Sequence, residues 1–178
     1  MKSSRRPAGL LVLPLVPVLA ACGADARPAD LDASGTPPAV AAQRVATAVP
    51  DGPLPTVIVY KTEGCGCCNG WVEHLQAAGF TVDARNVTDL MSIKRDAGVP
   101  AADASCHTAL VDGYVVEGHV PAEEIRRLLT ERPAVLGIAV PGMPVGSPGM
   151  EGPCAKPYEV LTFDRAGAHT VWAAVDPR

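Results

Sequence analysis

Apolar residues recur along the chain with spacings that change, and each change predicts the end of an element. The β-branched run at residues 56–61 is typical of a buried strand. Residues 69–78 repeat apolar side chains four and three positions apart, which predicts a short helix that ends before Gly79. Alternation at residues 80–87 predicts a second strand. Together these elements form a β-α-β unit.

The pattern that follows predicts a helix, a hairpin and a further helix. Residues 89–97 fit a second helix that ends at a glycine. Two β-rich runs then flank Asp112 and Gly113, a dipeptide suited to a two-residue type I′ turn. A third helix begins at Pro121 and carries two acidic residues in its first turn.

The element order β-α-β-α-β-β-α is that of the thioredoxin-like folds, and we expect this α/β class here. After a long segment rich in proline and glycine, β-rich runs at residues 158–163 and 170–175 predict an added C-terminal hairpin. Cys65 and Cys68 form a C-x-x-C pair between the first strand and the first helix, where thioredoxin-like proteins carry theirs. The position of this pair supports the fold prediction.

The amino terminus has the features of an export signal. Three basic residues precede an apolar stretch at residues 10–19, which is shorter than the roughly 20 residues of a membrane-spanning helix. The stretch leads into LAAC, which resembles the lipobox of bacterial lipoproteins. Residues 1–22 therefore read as a lipoprotein signal peptide ending at a lipidated Cys22, with an ordinary cleaved signal as the alternative. Either way, we expect a protein of the bacterial cell envelope, and the lipid would anchor it to the membrane, facing the periplasm.

Composition separates a tether from a domain. Residues 23–55 are rich in alanine, proline and aspartate without a sustained period, which predicts a disordered tether. Residues 56–178 are long enough to form one domain with its own core. The formal net charge of −4 argues against a nucleic-acid partner, which would require a basic surface.

The cysteines do not form a simple set of disulfides. Thiols in an oxidising envelope usually pair or bind something. If Cys22 carries lipid, five of the six cysteines remain, and an odd number cannot all pair within the chain. A redox disulfide between Cys65 and Cys68 is one alternative, but it leaves the neighbouring Cys67 without a role.

The turn at residues 112–113 sets the register of the hairpin. Counting back from this turn, Cys106 lies opposite His119, and directly paired residues share a face of a sheet. His107 would point to the other face, unless the chain has already left the ladder. In a thioredoxin-like fold the loop before this hairpin lies beside the C-x-x-C pair. The candidate metal ligands are Cys65, Cys67, Cys68, Cys106 and His119, with His107 in reserve.

Donors of this kind suit a soft metal. Thiolates are ligands of Cu(I), Zn(II) and iron–sulfur clusters. Zinc sites usually take their thiols from two C-x2-4-C pairs, and only one such pair is present. The adjacent Cys67 and Cys68 more naturally hold different ions, with bridging thiolates. These arguments favour copper, with more than one ion.

Four segments also resemble the CopG-type copper-resistance proteins of bacterial envelopes: GCGCC, GVP, SCHTALVDGYVVEGHVP and AVPGMPVGSPGME. The resemblance covers about residues 55–175. It implies a thioredoxin-like domain that binds copper through the cysteine cluster and the SCH loop, a role in copper tolerance, and a redox function toward copper. The residues that match the family ligands are Cys65, Cys67, Cys68, Cys106, His107 and His119, whereas Cys154 lies outside the family pattern.

Three functions remain open at this point. The first is an envelope copper-binding protein for copper tolerance, which holds copper in a thiolate-bridged cluster, cycles it between Cu(I) and Cu(II), and works with other envelope copper-handling proteins. The second is a thiol-disulfide oxidoreductase in which Cys65 attacks and Cys68 resolves, because a helix N-terminus favours the thiolate. The third is a non-catalytic module with structural zinc. Whether the protein is an enzyme, as a metal or a thiol oxidoreductase, depends on this choice.

Overall fold

The computed structural model describes residues 52–178, which include the whole of the predicted domain. The predicted signal peptide, the lipidated Cys22 and most of the predicted tether lie outside the described residues. Among residues 52–178, no helix has both the length and the apolar character needed to cross a bilayer.

The described region is built on one seven-stranded sheet with three α-helices. The strands are β1 (Val57–Lys61), β2 (Val82–Asn86), β3 (His107–Val111), β4 (Tyr114–Glu117), β5 (Gly137–Ala139), β6 (Tyr158–Phe163) and β7 (His169–Val175). The helices are α1 (Gly66–Ala77), α2 (Leu90–Ala97) and α3 (Ala122–Glu131). The strands lie in the order β2-β1-β3-β4-β5-β6-β7. The β1–β2 and β4–β5 pairs are parallel, and the other pairs are antiparallel.

The fold is mixed α/β, as predicted, and contains one strand that was not predicted. The predicted element order is found from β1 to α3, and β6 and β7 form the predicted C-terminal hairpin. Strand β5 has only three residues, too few to show a period, yet it joins that hairpin to the rest of the sheet. Its close approach to β4 requires Gly137, because a Cβ there would lie 2.0 Å from the Val115 carbonyl oxygen.

One cluster of buried side chains joins α1 and α3 to the strands. Trp71 and Leu75 of α1 are fully buried in it together with Ile125 and Leu128 of α3. Burying a large apolar side chain is worth about 1.5–3 kcal/mol. The indole Nε1 of Trp71 also donates to the Val120 carbonyl at 2.8 Å. These contacts fix α1, and with it the cysteines at its start.

Helix α1 begins at Gly66, three residues before the predicted start at residue 69. Cys65 is its N-cap residue, and Cys68 begins the buried stripe of the helix. The prediction was wrong here because the glycines and cysteines of GCGCC have low helix propensity. The earlier start places all three clustered cysteines at the helix N-terminus.

The β3–β4 hairpin has the predicted turn and register. Asp112 and Gly113 have φ angles of 47° and 87°, and a type I′ turn requires positive values at both positions. Val111 pairs with Tyr114, and the named ladder continues to Glu117. The hairpin therefore directs the segment before β3 and the segment after β4 toward the same end of the sheet.

Candidate metal centre

Four cysteine sulfurs meet where the N-terminus of α1 faces the segment before β3. The Cys67 Sγ lies 3.6 Å from the Cys65 Sγ and 3.7 Å from the Cys106 Sγ. These three sulfurs and that of Cys68 all lie within 4.8 Å of one another. Cys68 is fully buried, whereas the other three residues are partly exposed. The structure thus brings together the four cysteines of the predicted ligand set.

Two of these cysteines are paired and two are free. A disulfide joins Cys65 to Cys68, which is the pairing that the oxidoreductase alternative requires. Cys67 and Cys106 are free thiols. Burial and the neighbouring Cys67 raise the pKa of the Cys106 thiol to about 12. Cys106 must therefore lose a proton at neutral pH before it can bind a metal ion as a thiolate.

His119 extends the cysteine group toward the loop after β5. Its Nε2 lies 2.9 Å from the Cys106 Sγ, and its Nδ1 lies 2.8 Å from the Pro148 carbonyl oxygen. An Nδ1–H that donates to this carbonyl leaves the Nε2 lone pair directed at the Cys106 sulfur, an arrangement common among metal-binding histidines. Burial lowers the pKa of His119, which keeps the ring neutral at pH 7. The neutral ring is the form that binds metals.

The hairpin register predicted that His107 points to the face opposite His119. In the structure, His107 lies beside His119 instead. Its Nδ1 is 3.3 Å from the Cys106 Sγ, and the centroids of the two imidazoles are 5.0 Å apart. The alternation fails because Gly118, with a φ of 72°, turns the chain out of the ladder before His119. Cys106, His107 and His119 therefore form a second donor group that shares Cys106 with the first.

The ring of His107 is fully buried against α1. Its centroid lies 4.3 Å from that of Trp71. Burial, with His119 and Lys94 nearby, lowers the pKa of His107 to about 3, so its ring is neutral at pH 7. Its buried Nε2 has no hydrogen-bond partner among the described residues. Only the Nδ1 of His107 therefore adjoins the cysteines.

The loop after β5 packs on the first turns of α1, a role that was not predicted. A Cβ at Gly149 would lie 2.4 Å from the Cys67 carbonyl oxygen and 2.6 Å from the Trp71 nitrogen, so this contact requires glycine. The contact holds the Pro148 carbonyl against His119. The only sign of this contact in the sequence is Gly149, the glycine of the segment SPGM.

In the described region, one further cysteine and two further histidines belong to neither donor group. Cys154 is an exposed free thiol, so it does not pair with a site cysteine. The Nε2 of His74 lies 3.1 Å from the Ala122 nitrogen, and that of His169 lies 2.9 Å from the Asp103 carboxylate. Neither histidine belongs to a donor group.

Two solved structures are similar to this chain. They are described as copper resistance protein CopG, forms 1 and 2, and each is 44% identical to this chain with a TM-score of 0.65. The form 1 match covers 69% of this chain and 98% of the other, and the form 2 match covers 70% and 99%. This chain belongs to the CopG family of copper resistance proteins.

A family model also matches part of this CopG-family chain. The model is described as a protein of unknown function, DUF411, and it matches residues 103–150. That segment contains Cys106, His107 and His119 together with the loop that packs on α1. A comparison with curated proteins gave no match. The family membership that the motifs predicted is confirmed.

A buried ion pair lies beneath the donor-bearing segments of the CopG-family domain. Lys94 Nζ is 2.5 Å from Glu117 Oε1, and both side chains are almost completely buried. Glu117 also accepts from Thr108 Oγ1 at 2.7 Å and from the Ser105 N–H at 2.6 Å. Burial raises the pKa of Glu117, and these donors oppose that rise. The sequence carries no signal of this pair, because a lysine on a helix and a glutamate on a strand usually face solvent.

Proposed function

We propose that this chain binds copper at the cysteine–histidine cluster and serves in copper tolerance. The observation that carries the proposal is the convergence of four sulfurs and two imidazoles in two groups that share one residue. Thiolates and imidazoles both suit copper, and the similar structures are described as copper resistance proteins. The proposed ligands are Cys65, Cys67, Cys68, Cys106, His107 and His119.

The donor set favours more than one copper ion. Six donors exceed the four that complete a tetrahedral site, and Cys106 belongs to both groups. A Cys106 thiolate would therefore bridge neighbouring ions. Sulfur ligands favour Cu(I), whereas imidazoles also accommodate Cu(II). We infer that a thiolate-bridged copper cluster forms here and that it cycles between the two oxidation states.

Native mass spectrometry of protein from copper-fed cells tests the proposal. Cys67→Ser and Cys106→Ser are expected to lower the number of copper ions bound per chain. Cys154→Ser is the matched control, because it removes a thiol that lies outside both donor groups. Equal copper in all four proteins would contradict the proposal. Tightly held zinc, with unchanged copper tolerance in a deletion strain, would favour the structural-zinc module instead.

We also infer that the domain, residues 56–178, is thioredoxin-like. Strands β1 and β2 run parallel and are connected through α1, whereas β3 and β4 are antiparallel and precede α3. The Cys65–Cys68 pair lies at the N-terminus of α1, as in thiol-redox members of that fold. Strand β5 and the β6–β7 hairpin then extend the sheet.

The proposed location is the periplasmic side of the bacterial envelope. Lipid on Cys22 would anchor the chain, and residues 23–55 would act as a tether. Copper ions and envelope copper-handling proteins are the proposed partners. Membrane fractionation tests the anchor: Cys22→Ser is expected to move the protein from the membrane fraction to the soluble fraction, and retention in the membrane would contradict it.

The Cys65–Cys68 disulfide favours thiol-disulfide exchange as a second candidate function. In that reaction a thiol reductant first opens the Cys65–Cys68 disulfide. The Cys65 thiolate then attacks a substrate disulfide and releases one substrate thiol, and Cys68 resolves the mixed disulfide, which releases the second thiol and re-forms the Cys65–Cys68 bond. Insulin reduction separates this candidate from copper binding. Turnover that survives both Cys67→Ser and a copper chelator would support an oxidoreductase, whereas absence of turnover in the wild type would exclude insulin-type exchange.

A further inference from the structure

We propose that Lys94 and Glu117 are positioning residues, which hold the segment that carries Cys106 in the geometry needed for copper. This inference rests on the proposed copper function and deepens it. Neither side chain is itself a proposed ligand, because a lysine ammonium has no lone pair to offer and three donors already engage the Glu117 carboxylate.

The contact that carries the inference lies immediately before Cys106. The Ser105 N–H donates to Glu117 Oε1 at 2.6 Å. Ser105 precedes β3, so its N–H has no partner in the β-ladder. Within a sheet, a neighbouring strand would accept a hydrogen bond from this N–H. Here the Glu117 carboxylate accepts it instead, at the residue that directly precedes the proposed ligand Cys106.

The Glu117 carboxylate has one orientation because three elements hold it. Its Oε1 accepts from Lys94 Nζ of α2 at 2.5 Å, and its Oε2 accepts from Thr108 Oγ1 of β3 at 2.7 Å. Lys94 Nζ also donates to Thr108 Oγ1 at 3.0 Å. This closed triangle orients the oxygen that receives the Ser105 N–H.

Glu117 also lies two residues before His119 in the chain. Its backbone carbonyl accepts from the Val140 N–H at 3.0 Å, while its side chain reaches Ser105. One residue thus ties together the two segments that carry Cys106 and His119. The 2.9 Å separation of the Cys106 Sγ and the His119 Nε2 depends on that tie.

Stability alone does not account for the pair. Lys94 is 3% exposed and Glu117 is 0% exposed, so both charges have lost their hydration. Replacing such a pair with apolar residues of similar volume is often neutral or stabilising. Groups that orient metal ligands, in contrast, commonly change metal affinity by about 10-fold to 100-fold when they are removed.

Two double variants separate geometry from charge. Lys94→Met/Glu117→Gln keeps an oxygen that can accept from the Ser105 N–H, whereas Lys94→Met/Glu117→Leu has no such acceptor. Both variants remove both charges and nearly conserve volume. We expect both to fold, as measured by urea denaturation of the full chain, because neither leaves an unpaired buried charge.

Competition with a Cu(I) chelator then measures copper affinity. The Leu variant is expected to bind about 10-fold to 100-fold more weakly than the wild type, and the Gln variant, which keeps the acceptor but loses the Lys94 contact, should lie between the two. The copper–thiolate absorption of the Leu variant should also differ from that of the wild type. A Leu variant that matches the Gln variant in affinity and spectrum would overturn the proposal.

A measurement on copper-free protein distinguishes failure of this inference from failure of the copper proposal. Peptide mass spectrometry gives the alkylation rate of Cys106 relative to that of Cys154, which lies outside the site. Cys106 should react faster in the Leu variant than in the wild type or the Gln variant. If the wild type binds no copper and this ratio still changes, the copper function fails and the positioning role stands. An unchanged ratio in a copper-binding protein overturns the positioning role alone.

Discussion

Cys106 is the residue with the most donor neighbours in the cluster. Its Sγ lies 3.7 Å from the Cys67 Sγ, 3.3 Å from the His107 Nδ1 and 2.9 Å from the His119 Nε2. Because it belongs to both donor groups, a change at Cys106 acts on both. The two histidines differ in what holds them, and that difference is testable.

His119→Ala is expected to weaken copper binding at neutral pH more than His107→Ala does. The Pro148 carbonyl orients the His119 Nε2 toward the Cys106 sulfur, whereas the ring of His107 packs on Trp71. His107→Ala should instead cause the larger loss of stability, roughly 3 kcal/mol, because its ring packs directly on Trp71 of the core. Copper titration and urea denaturation of both variants measure the two effects. A larger copper loss in His107→Ala would assign the principal imidazole ligand to that residue.

Copper affinity should rise steadily with pH, without a break near pH 6.5. The pKa of the Cys106 thiol is raised to about 12, so copper must displace its proton throughout the neutral range. For each proton that copper displaces, lowering the pH by one unit therefore lowers the apparent copper affinity about tenfold. Burial lowers the pKa of His119, so this ring stays neutral below its ordinary pKa and adds no step there. Chelator competition between pH 5.5 and 8 measures the slope, and a break near 6.5 would mean that a ligand histidine titrates normally.

At the scale of elements, the cluster lies where two loops meet the first turn of α1. One loop precedes β3 and carries Cys106, and the other follows β5 and supplies the Pro148 carbonyl. The second loop can pack on the helix only because Gly149 has no side chain. Helix α1, in turn, is anchored by the burial of Trp71 and Leu75.

Gly149→Ala is expected to weaken copper binding and to lower the melting temperature. The new Cβ would lie 2.4 Å from the Cys67 carbonyl oxygen, so the loop must move away and take the Pro148 carbonyl from His119. Gly167→Ala is the matched control: its φ is also positive, at 81°, but its Cβ would meet nothing within 4 Å. The control should show only the backbone strain of about 1–2 kcal/mol. Equal copper affinity in the two variants would mean that the loop does not orient the ligands.

At the scale of the whole molecule, the redox state of the Cys65–Cys68 pair decides how many sulfurs are available as thiols. With Cys65 and Cys68 joined, Cys67 and Cys106 are the free thiols of the site. A reduced chain would offer four thiols at the same place. The proposed export would bring the chain into an oxidising compartment, which favours the disulfide state. The two states are expected to differ in copper capacity because they differ in the number of thiols.

Reduced protein is therefore expected to bind more copper per chain than the disulfide form. A sulfur within a disulfide carries no thiolate charge and is a poor ligand for Cu(I). Native mass spectrometry of protein loaded anaerobically, with and without prior reduction, measures the difference. Cys65→Ser/Cys68→Ser is the control and should bind the same low number of ions in both states. Equal stoichiometry for oxidised and reduced wild type would show that Cys65 and Cys68 are not ligands.

The sequence by itself determined the features that depend on neighbours along the chain. Alternation and helical periodicity located the elements from β1 to α3, because the face on which a side chain lies depends only on its spacing along the helix or strand. The Asp112–Gly113 turn determined the hairpin register from Val111–Tyr114 to Thr108–Glu117, and so brought the segments that carry Cys106 and His119 to the same end of the sheet. The crowded cysteines, with the family motifs, predicted most of the candidate site.

Tertiary structure alone decided the contacts between segments that are distant in sequence. Packing of Cys68 into the core extended α1 toward its N-terminus, and the positive φ of Gly118 brought His107 beside His119. The Lys94–Glu117 pair and the short strand β5 also had no local signal. Burial is a property of the assembled fold, and spacing along a chain does not reveal which polar side chains will be enclosed.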